Sequence, residues 1–394
     1  MLNVSGVEQV IEALDECDVV IVGAGLYGIT LAERLANEKN LKVLILEVRN
    51  HIGGNAYSYI DPSTGIEVHK YGSHLFHTSN NKVWEYVNRF TSFNQYRHTV
   101  VALHKNSYYP MPINLQTISL LFKKALSPNE ARQVIENDKP KLMDSNEIEN
   151  FETKALNCIG SKLYNAFIKN YTQKQWQTDP TELPAEIIQR LPVRFNFNSG
   201  YFQDLYEGLP LDGYTAWFER MLASNNIKLA LSTDYFDFKD MVDRIKKLIY
   251  TGPIDRYFNY KYGLLGWRTL DFEIEVLDTP DYQGTSVVNY VDSDPEFTRI
   301  HEFKHFHPER PSYESSKTII MKEFSRFADQ TDEPYYPINS AHDREILHKY
   351  RALVDAESQV IFGGRLGSYK YLDMHMAIAS ALQVFENTDW TSNE

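Results

Sequence analysis

Apolar positions first concentrate in Asp18-Val19-Val20-Ile21-Val22-Gly23, a β-branched run too short for a helix and read as a buried strand. After it, Ile29, Leu31, Ala32 and Leu35 fall near one face of a helix that runs through Leu35. Leu41–Glu47 is a second apolar strand. Strand, glycine turn, helix and strand within about 30 residues make a βαβ unit. From about Ile113 to Arg190 the pattern predicts several helices, punctuated by Pro128 and Asp179-Pro180, with caps at Ser127 and Ser161. Val193–Tyr214 and Thr269–Phe327 alternate and are rich in aromatics, which predicts strands; Val287–Tyr290 and Thr318–Phe324 belong to one antiparallel sheet. Ala352–Phe362 reads as a helix leading to a short strand. Gly363-Gly364 and a helix through Met374–Val384 follow, and the chain from Ser392 reads as a frayed tail. There is no internal repeat.

Composition narrows the class. A chain of 394 residues with 43% hydrophobic and 24% charged positions is an ordinary globular protein of two or three domains. No apolar run of about 18 residues predicts a membrane span, and Met1–Asp18 lacks a signal-peptide pattern, so a cytoplasmic location is expected. Cys17 and Cys158 have no CxxC spacing and predict neither a disulfide framework nor a zinc site. The net charge of −13 repels polyanions, which argues against nucleic acid as a partner. An anionic small molecule would need a local arginine cluster. The 26 tyrosines suit a ligand with flat rings and phosphates or hydroxyls.

Gly23-Ala24-Gly25-Leu26-Tyr27-Gly28 fits GxGxxG in the right context, after a strand and opening a helix. Gly23 permits the tight turn, Gly25 lets backbone approach a pyrophosphate, and Gly28 allows close helix–strand packing. The helix N-terminus supplies unpaired N–H groups to the phosphates. Glu47, at the end of the second strand, is placed to accept from ribose hydroxyls. His51-Ile52-Gly53-Gly54-Asn55 brings backbone to the pyrophosphate from a second side. With Phe362-Gly363-Gly364-Arg365-Leu366-Gly367 it resembles FAD-binding proteins of the amine-oxidase type.

Several longer segments resemble the UDP-galactopyranose mutase family over nearly the whole chain. They are His69–Thr78, Tyr171–Trp176, Arg190–Arg194, Tyr250–Asp255, Gly266–Phe272, Thr298–Phe306, Pro334–Pro337 and Gly364–Asp373. The resemblance implies interconversion of UDP-galactopyranose and UDP-galactofuranose without net redox change. It implies a covalent adduct between N5 of reduced FAD and the sugar anomeric carbon, with an unidentified reductant such as NAD(P)H and a homodimer. It implies an α/β fold: an FAD-binding Rossmann-like domain (1–90, 212–256 and 345–394), a helical insert with a mobile lid (110–190) and an antiparallel sheet domain (91–109, 191–211 and 257–344).

Residue by residue, Arg190 and Arg299 match the family's diphosphate arginines and, in so acidic a protein, are expected to form an isolated positive focus. Tyr171 matches the ring that stacks on uracil, with Thr172 beside it, and Trp176 packs next to the sugar nucleotide. Tyr201, Tyr336 and Tyr371 match tyrosines whose hydroxyls reach the phosphates, with Phe202 beside the first; Asn289 and Asp373 lie toward the sugar and the substrate end. The cofactor set is Gly23, Gly25, Leu26, Tyr27, Gly28, Glu47, Gly54, Asn55, His74, Arg365, Tyr371, Leu372 and Met374. His74 and His77 lie beside the isoalloxazine, where an anionic reduced flavin would raise a histidine pKa, and His77 joins the arginines as catalytic.

His301, His305 and His307 would share one face of an alternating strand, and are read as structural or pocket-lining, with no metal. Ser73 departs from the proline or alanine expected in its segment, which bears on the sugar accepted: galactose, an N-acetylated form or a deoxy form. Two other readings account for the glycines. They are an amine-oxidase-like enzyme using oxygen, and a nucleotide-binding module without turnover. Neither accounts for the phosphate-directed arginines.

Overall fold

The computed structural model describes residues 2–140, 150–188, 193–242 and 247–390. Six parallel strands form one sheet in the order Leu2–Val4, Ile227–Ala230, Val43–Leu46, Val19–Val22, Leu248–Tyr250 and Val360–Phe362. Helices Leu26–Glu38 and Met374–Asn387 pack together against it, burying Ile29, Leu31, Leu35, Ile378 and Leu382. The expected βαβ unit is present, and its helix runs three residues past Leu35, to Glu38. Among the described residues no helix is long and apolar enough to cross a membrane.

The fingerprint glycines are explained by contacts. Gly23 has φ +100°, a region closed to most side chains. A Cβ on Gly28 would lie 2.2 Å from the Gly23 carbonyl oxygen, so the helix can dock this close only without one.

A second sheet runs Tyr336–Pro337, Trp267–Leu277, Thr318–Phe327, Arg299–Glu302, Val287–Tyr290, Val100–His104 and Ser107–Met111. It is mixed, not purely antiparallel as the sequence suggested: Val287–Tyr290 pairs with Val100–His104 in parallel. The reason is local. Lys105 and Asn106, both at positive φ, close a tight hairpin, and this two-strand unit adds to the edge after a long connection that leaves its direction free.

Helices Leu115–Phe122, Pro128–Asp138, Phe151–Leu163 and Lys169–Trp176 follow the hairpin. Ser127 forms the expected capping box with Glu130. Ser161 is not a cap. The helix breaks one residue earlier at Gly160 (φ 78°), and the Asp138 carboxylate accepts from the Lys162 N–H instead. Between Val193 and Tyr214 only Tyr206–Gly208 is a strand. The Arg194 guanidinium donates to the carbonyls of Asn198, Gly200 and Tyr201 and wraps that segment into a loop. Near the C-terminus the helix begins at Ala341 and ends at Val354, earlier than the pattern suggested. The tail beyond Ser392 and Arg190 lie outside the described residues.

Replacing Gly28 by alanine should destabilise the fold by at least about 3 kcal/mol, since the clash is with backbone that cannot rotate away. Thermal unfolding of the variant checks this; an unchanged midpoint would refute the contact.

Candidate functional site

The glycine turn opens onto a cavity of about 1110 Å³ that reaches the face of the mixed sheet. That is above the usual range of about 300–1,000 Å³ for a single small-molecule pocket. At the near end Gly25 faces open space, with no atom within 4 Å of a notional Cβ. Gly54 (φ +57°) brings the second glycine pair up to Gly25. Glu47 is buried, and burial raises its pKa. Its oxygens accept from the backbone N–H groups of Ala24 (2.7 Å) and Arg49 (2.8 Å), which fixes the carboxylate and leaves lone pairs for a ribose. The Arg49 guanidinium donates to Asn55 Oδ1 (2.9 Å), pairs with Glu333 and lies over the Tyr71 ring. Arg49 Nη1 and Asn55 Nδ2 are buried without a partner among the described residues. Orphaned donors beside a glycine turn fit a dinucleotide's oxygens and ring nitrogens.

The far wall carries charge. Arg299 Nη2 donates to the Tyr171 hydroxyl (2.6 Å), and its Nε lies 3.2 Å from Glu323 Oε1, directly across the strand pair. Burial would lower the Arg299 pKa, but Glu323 outweighs it and keeps the guanidinium charged. Burial would raise Glu323; the Arg299 charge and a bond from His301 hold it down at about 2. The positive focus expected at Arg299 is therefore not isolated, because a carboxylate already balances part of it. Arg365 is different. Burial lowers its pKa, and among the described residues no carboxylate pairs with it.

Tyr171 comes from the helix Lys169–Trp176, which is tied to the sheet twice. Lys174 Nζ donates to the carbonyls of Tyr290 (2.6 Å), Pro295 (2.9 Å) and Phe297 (3.1 Å). Arg268 Nη2 (2.9 Å) and Ser325 Oγ (2.8 Å) both donate to the Gln175 carbonyl. Burial lowers the Lys174 pKa to about 8.

A third group comes from the segment Tyr71–Thr78. His77 Nδ1 lies 2.6 Å from Asp204 Oδ2, its ring stacks on Phe202 at 3.7 Å, and its Nε2 is 4.0 Å from Asp373. Tyr371 donates to Asp373 Oδ1 (2.8 Å) and stacks near Tyr336. His74 Nδ1 bonds to the Gly72 carbonyl (2.8 Å), and burial pushes its pKa down to about 4. The protein alone thus opposes the upward shift expected beside a reduced flavin. Ser73 Oγ is 2.6 Å from His301 Nδ1, and His301 Nε2 is 3.1 Å from Glu323 Oε2.

Of the catalytic, substrate and cofactor residues named from sequence, the described ones line this cavity with two exceptions. Thr172 is buried behind the wall, and Trp176 lines an adjoining cavity of about 280 Å³ with Gln175, Arg268 and Tyr336. Arg190 lies outside the described residues. His301, His305 and His307 do not share a face. The strand ends at Glu302 and Phe303–Phe306 is a 3₁₀ turn, so His305 faces Asp281 and Glu302 while His307 faces Glu67 and Glu309. Sequence reasoning missed Glu323, His98 and Arg49 as wall residues, and Asp204 as the partner of His77. Only Arg49 carried a signal, its place two residues after Glu47; the others are brought in by strand register and loop packing.

A glycine turn, a buried carboxylate after the second strand and a charged, half-buried arginine line one continuous cavity, which defines an α/β protein with a dinucleotide-type turn at a site that also carries positive charge. The family model for an NAD(P)-binding Rossmann-like domain matches residues 21–90, and that for UDP-galactopyranose mutase matches residues 166–371. The chain is 43% identical to the Klebsiella pneumoniae protein named "Probable UDP-galactopyranose mutase", over 93% of each chain. It is 40% identical to the dTDP-fucopyranose mutase of Escherichia coli, over 93% of this chain and 96% of that one. A solved structure of reduced UDP-galactopyranose mutase superposes with a TM-score of 0.68 at 13% identity, covering 94% of this chain and 93% of that one. A redesigned putrescine oxidase superposes at 0.55 and 11% identity, covering 98% and 99%. The chain belongs to the UDP-galactopyranose mutase family, and is an isomerase by class.

The cavity region makes the fold acid-sensitive. Burial lowers His69 to about 3, His74 to about 4 and His98 to about 3. Unfolded histidines titrate near 6.5, so below that pH the unfolded chain binds protons that the folded chain refuses. Their contribution is complete above about pH 6.5 and is lost as pH falls toward about 4 for His74 and about 3 for His69 and His98. Urea titrations of apoprotein should show stability dropping by up to about 1.4 kcal/mol per pH unit for each histidine. His98→Gln should give a shallower fall; a slope equal to wild type would remove His98 from this account.

Proposed function

We propose that this protein interconverts UDP-galactopyranose and UDP-galactofuranose, using FAD in its reduced form bound at the glycine-turn end. The observation that carries the reading is Arg299, a half-buried, charged guanidinium bonded to Tyr171 in the wall of the same cavity as the dinucleotide turn. A bound reduced flavin supplies a nucleophile, N5, for the sugar's anomeric carbon. The chain's own residues do the rest. Arg299, with Arg190, receives the negative charge that develops on the departing diphosphate, and Tyr336 and Tyr371 donate to its oxygens. Tyr171 offers its ring to the uracil while its hydroxyl steadies Arg299. Tyr201, Phe202 and Asn289 line the sugar's side, where the unpartnered Asn289 Oδ1 accepts from a hydroxyl.

His77, oriented by Asp204 on Nδ1, turns Nε2 toward Asp373 and the cavity, where it holds or moves a proton. Arg365, desolvated and without a carboxylate partner among the described residues, would offer its charge to an electron-rich reduced ring system. Gly25, Gly54, Asn55 and Glu47 hold the dinucleotide's pyrophosphate and ribose. Three domains with the boundaries given above, a lid around Trp176, a homodimer, a cytoplasmic location and a reductant such as NAD(P)H belong to the same proposal. The 40% identity to a protein named dTDP-fucopyranose mutase supports a second substrate reading, a 6-deoxy sugar on a thymidine nucleotide.

Dithionite-reduced protein incubated with UDP-galactofuranose should yield UDP-galactopyranose, with oxidised protein inactive. Arg299→Ala should lower turnover by about 10²–10³-fold while keeping flavin bound. Conversion of dTDP-fucofuranose alone would move the assignment to the second reading; conversion of neither would sink both.

A further inference from the structure

We propose that Ser73 is a fixed hydrogen-bond acceptor that reads one hydroxyl of the substrate sugar, with His301 and Glu323 setting its orientation. The inference rests on the sugar-nucleotide reading above and adds a residue that selects among sugars. Its basis is a chain of hydrogen bonds whose direction can be worked out from one end.

Glu323 is ionised, held so by Arg299, and a carboxylate can only accept. The His301 nitrogen facing it, Nε2 at 3.1 Å, must therefore carry the hydrogen. His301 is 2% exposed, and burial lowers its pKa, so the ring is neutral and its second nitrogen is bare. That nitrogen, Nδ1, is 2.6 Å from Ser73 Oγ and can only accept. The Ser73 hydrogen is thereby committed to His301. What Ser73 offers the cavity is lone pairs, so it selects a donor.

The donor's identity follows from position. Ser73, His301, Arg299 and Glu323 all line the main cavity. Arg299 and His301 are two residues apart on one strand, hence on the same face and about 7 Å apart. A hexose joined to a diphosphate held at Arg299 spans about that length. Its ring hydroxyls, which are donors, fall on the Ser73 side. A phosphate or a carbonyl, offering only lone pairs, would be repelled there. A sugar lacking the matched hydroxyl would leave the Ser73 oxygen without a donor, which is how a polar site rejects an analogue.

A staple between the loop Tyr71–Leu75 and the sheet would show the same bonds, so the test must separate a reader from a staple. Isothermal titration of oxidised holoprotein, which binds without turnover, is run with UDP-galactose and with UDP. Ser73→Ala should weaken UDP-galactose about tenfold and leave UDP unchanged, as expected for one lost neutral hydrogen bond. Ser73→Thr, which keeps the hydroxyl, should retain the wild-type ratio. UDP-galactose deoxygenated singly at C2, C3 or C6 identifies the hydroxyl: wild type and Ser73→Ala should bind one of the three equally.

Equal weakening of UDP and UDP-galactose makes Ser73 a staple and overturns the proposal. So does an unchanged ratio, or a wild type that binds UDP-galactose no better than UDP. Wild type that shows the sugar-dependent ratio yet converts nothing when reduced would sink the mutase reading and leave Ser73 standing.

Discussion

A guanidinium in the wall of a cavity loses most of its hydration, and the cost is bearable only if charge and hydrogen bonds replace the water. Arg299 meets that condition through Glu323 across the strand pair and Tyr171 from the facing helix. The pair does more than neutralise. It joins the mixed sheet to the helix Lys169–Trp176, and it fixes the ionisation of Glu323 and so the tautomer of His301. Partial neutralisation also tempers the cation. An anion arriving there would find a charge already shared, which favours release as well as capture.

The fold and the site speak to different questions. A redesigned putrescine oxidase shares the architecture at a TM-score of 0.55 with 11% identity, so the backbone alone is compatible with unrelated chemistry. The side chains at the far wall separate the cases. Arg299, Tyr171, Tyr336 and Arg365, which pairs with no carboxylate among the described residues, suit an anionic, flat, polar ligand better than a neutral or cationic amine.

Much of this was legible in the chain. The parallel sheet's first unit could be read because each glycine in Gly23–Gly28 answers a local steric demand. The cavity-lining Tyr171, Arg299, Tyr336 and Tyr371 could be read because they sit inside long, specific segments. What could not be read depends on register. Glu323 meets Arg299 only through strand pairing, and Asp204 reaches His77 only because the loop before Tyr206–Gly208 folds back. Arg194 shows the same limit from the other side: its segment alternates like a strand, yet one guanidinium captures three carbonyls and makes it a loop. Ser73 was visible as a departure, but its meaning needed His301 beside it.

Lys174 ends the account in mechanical terms. Its ammonium has three hydrogens and three carbonyl partners, drawn from Tyr290, Pro295 and Phe297. Burial brings its pKa down to about 8, close to neutral conditions. A proton lost there leaves two hydrogens for three carbonyls. The stiffness of the wall that carries Tyr171 is therefore a titratable quantity, highest when the lysine is charged and softening in mild alkali.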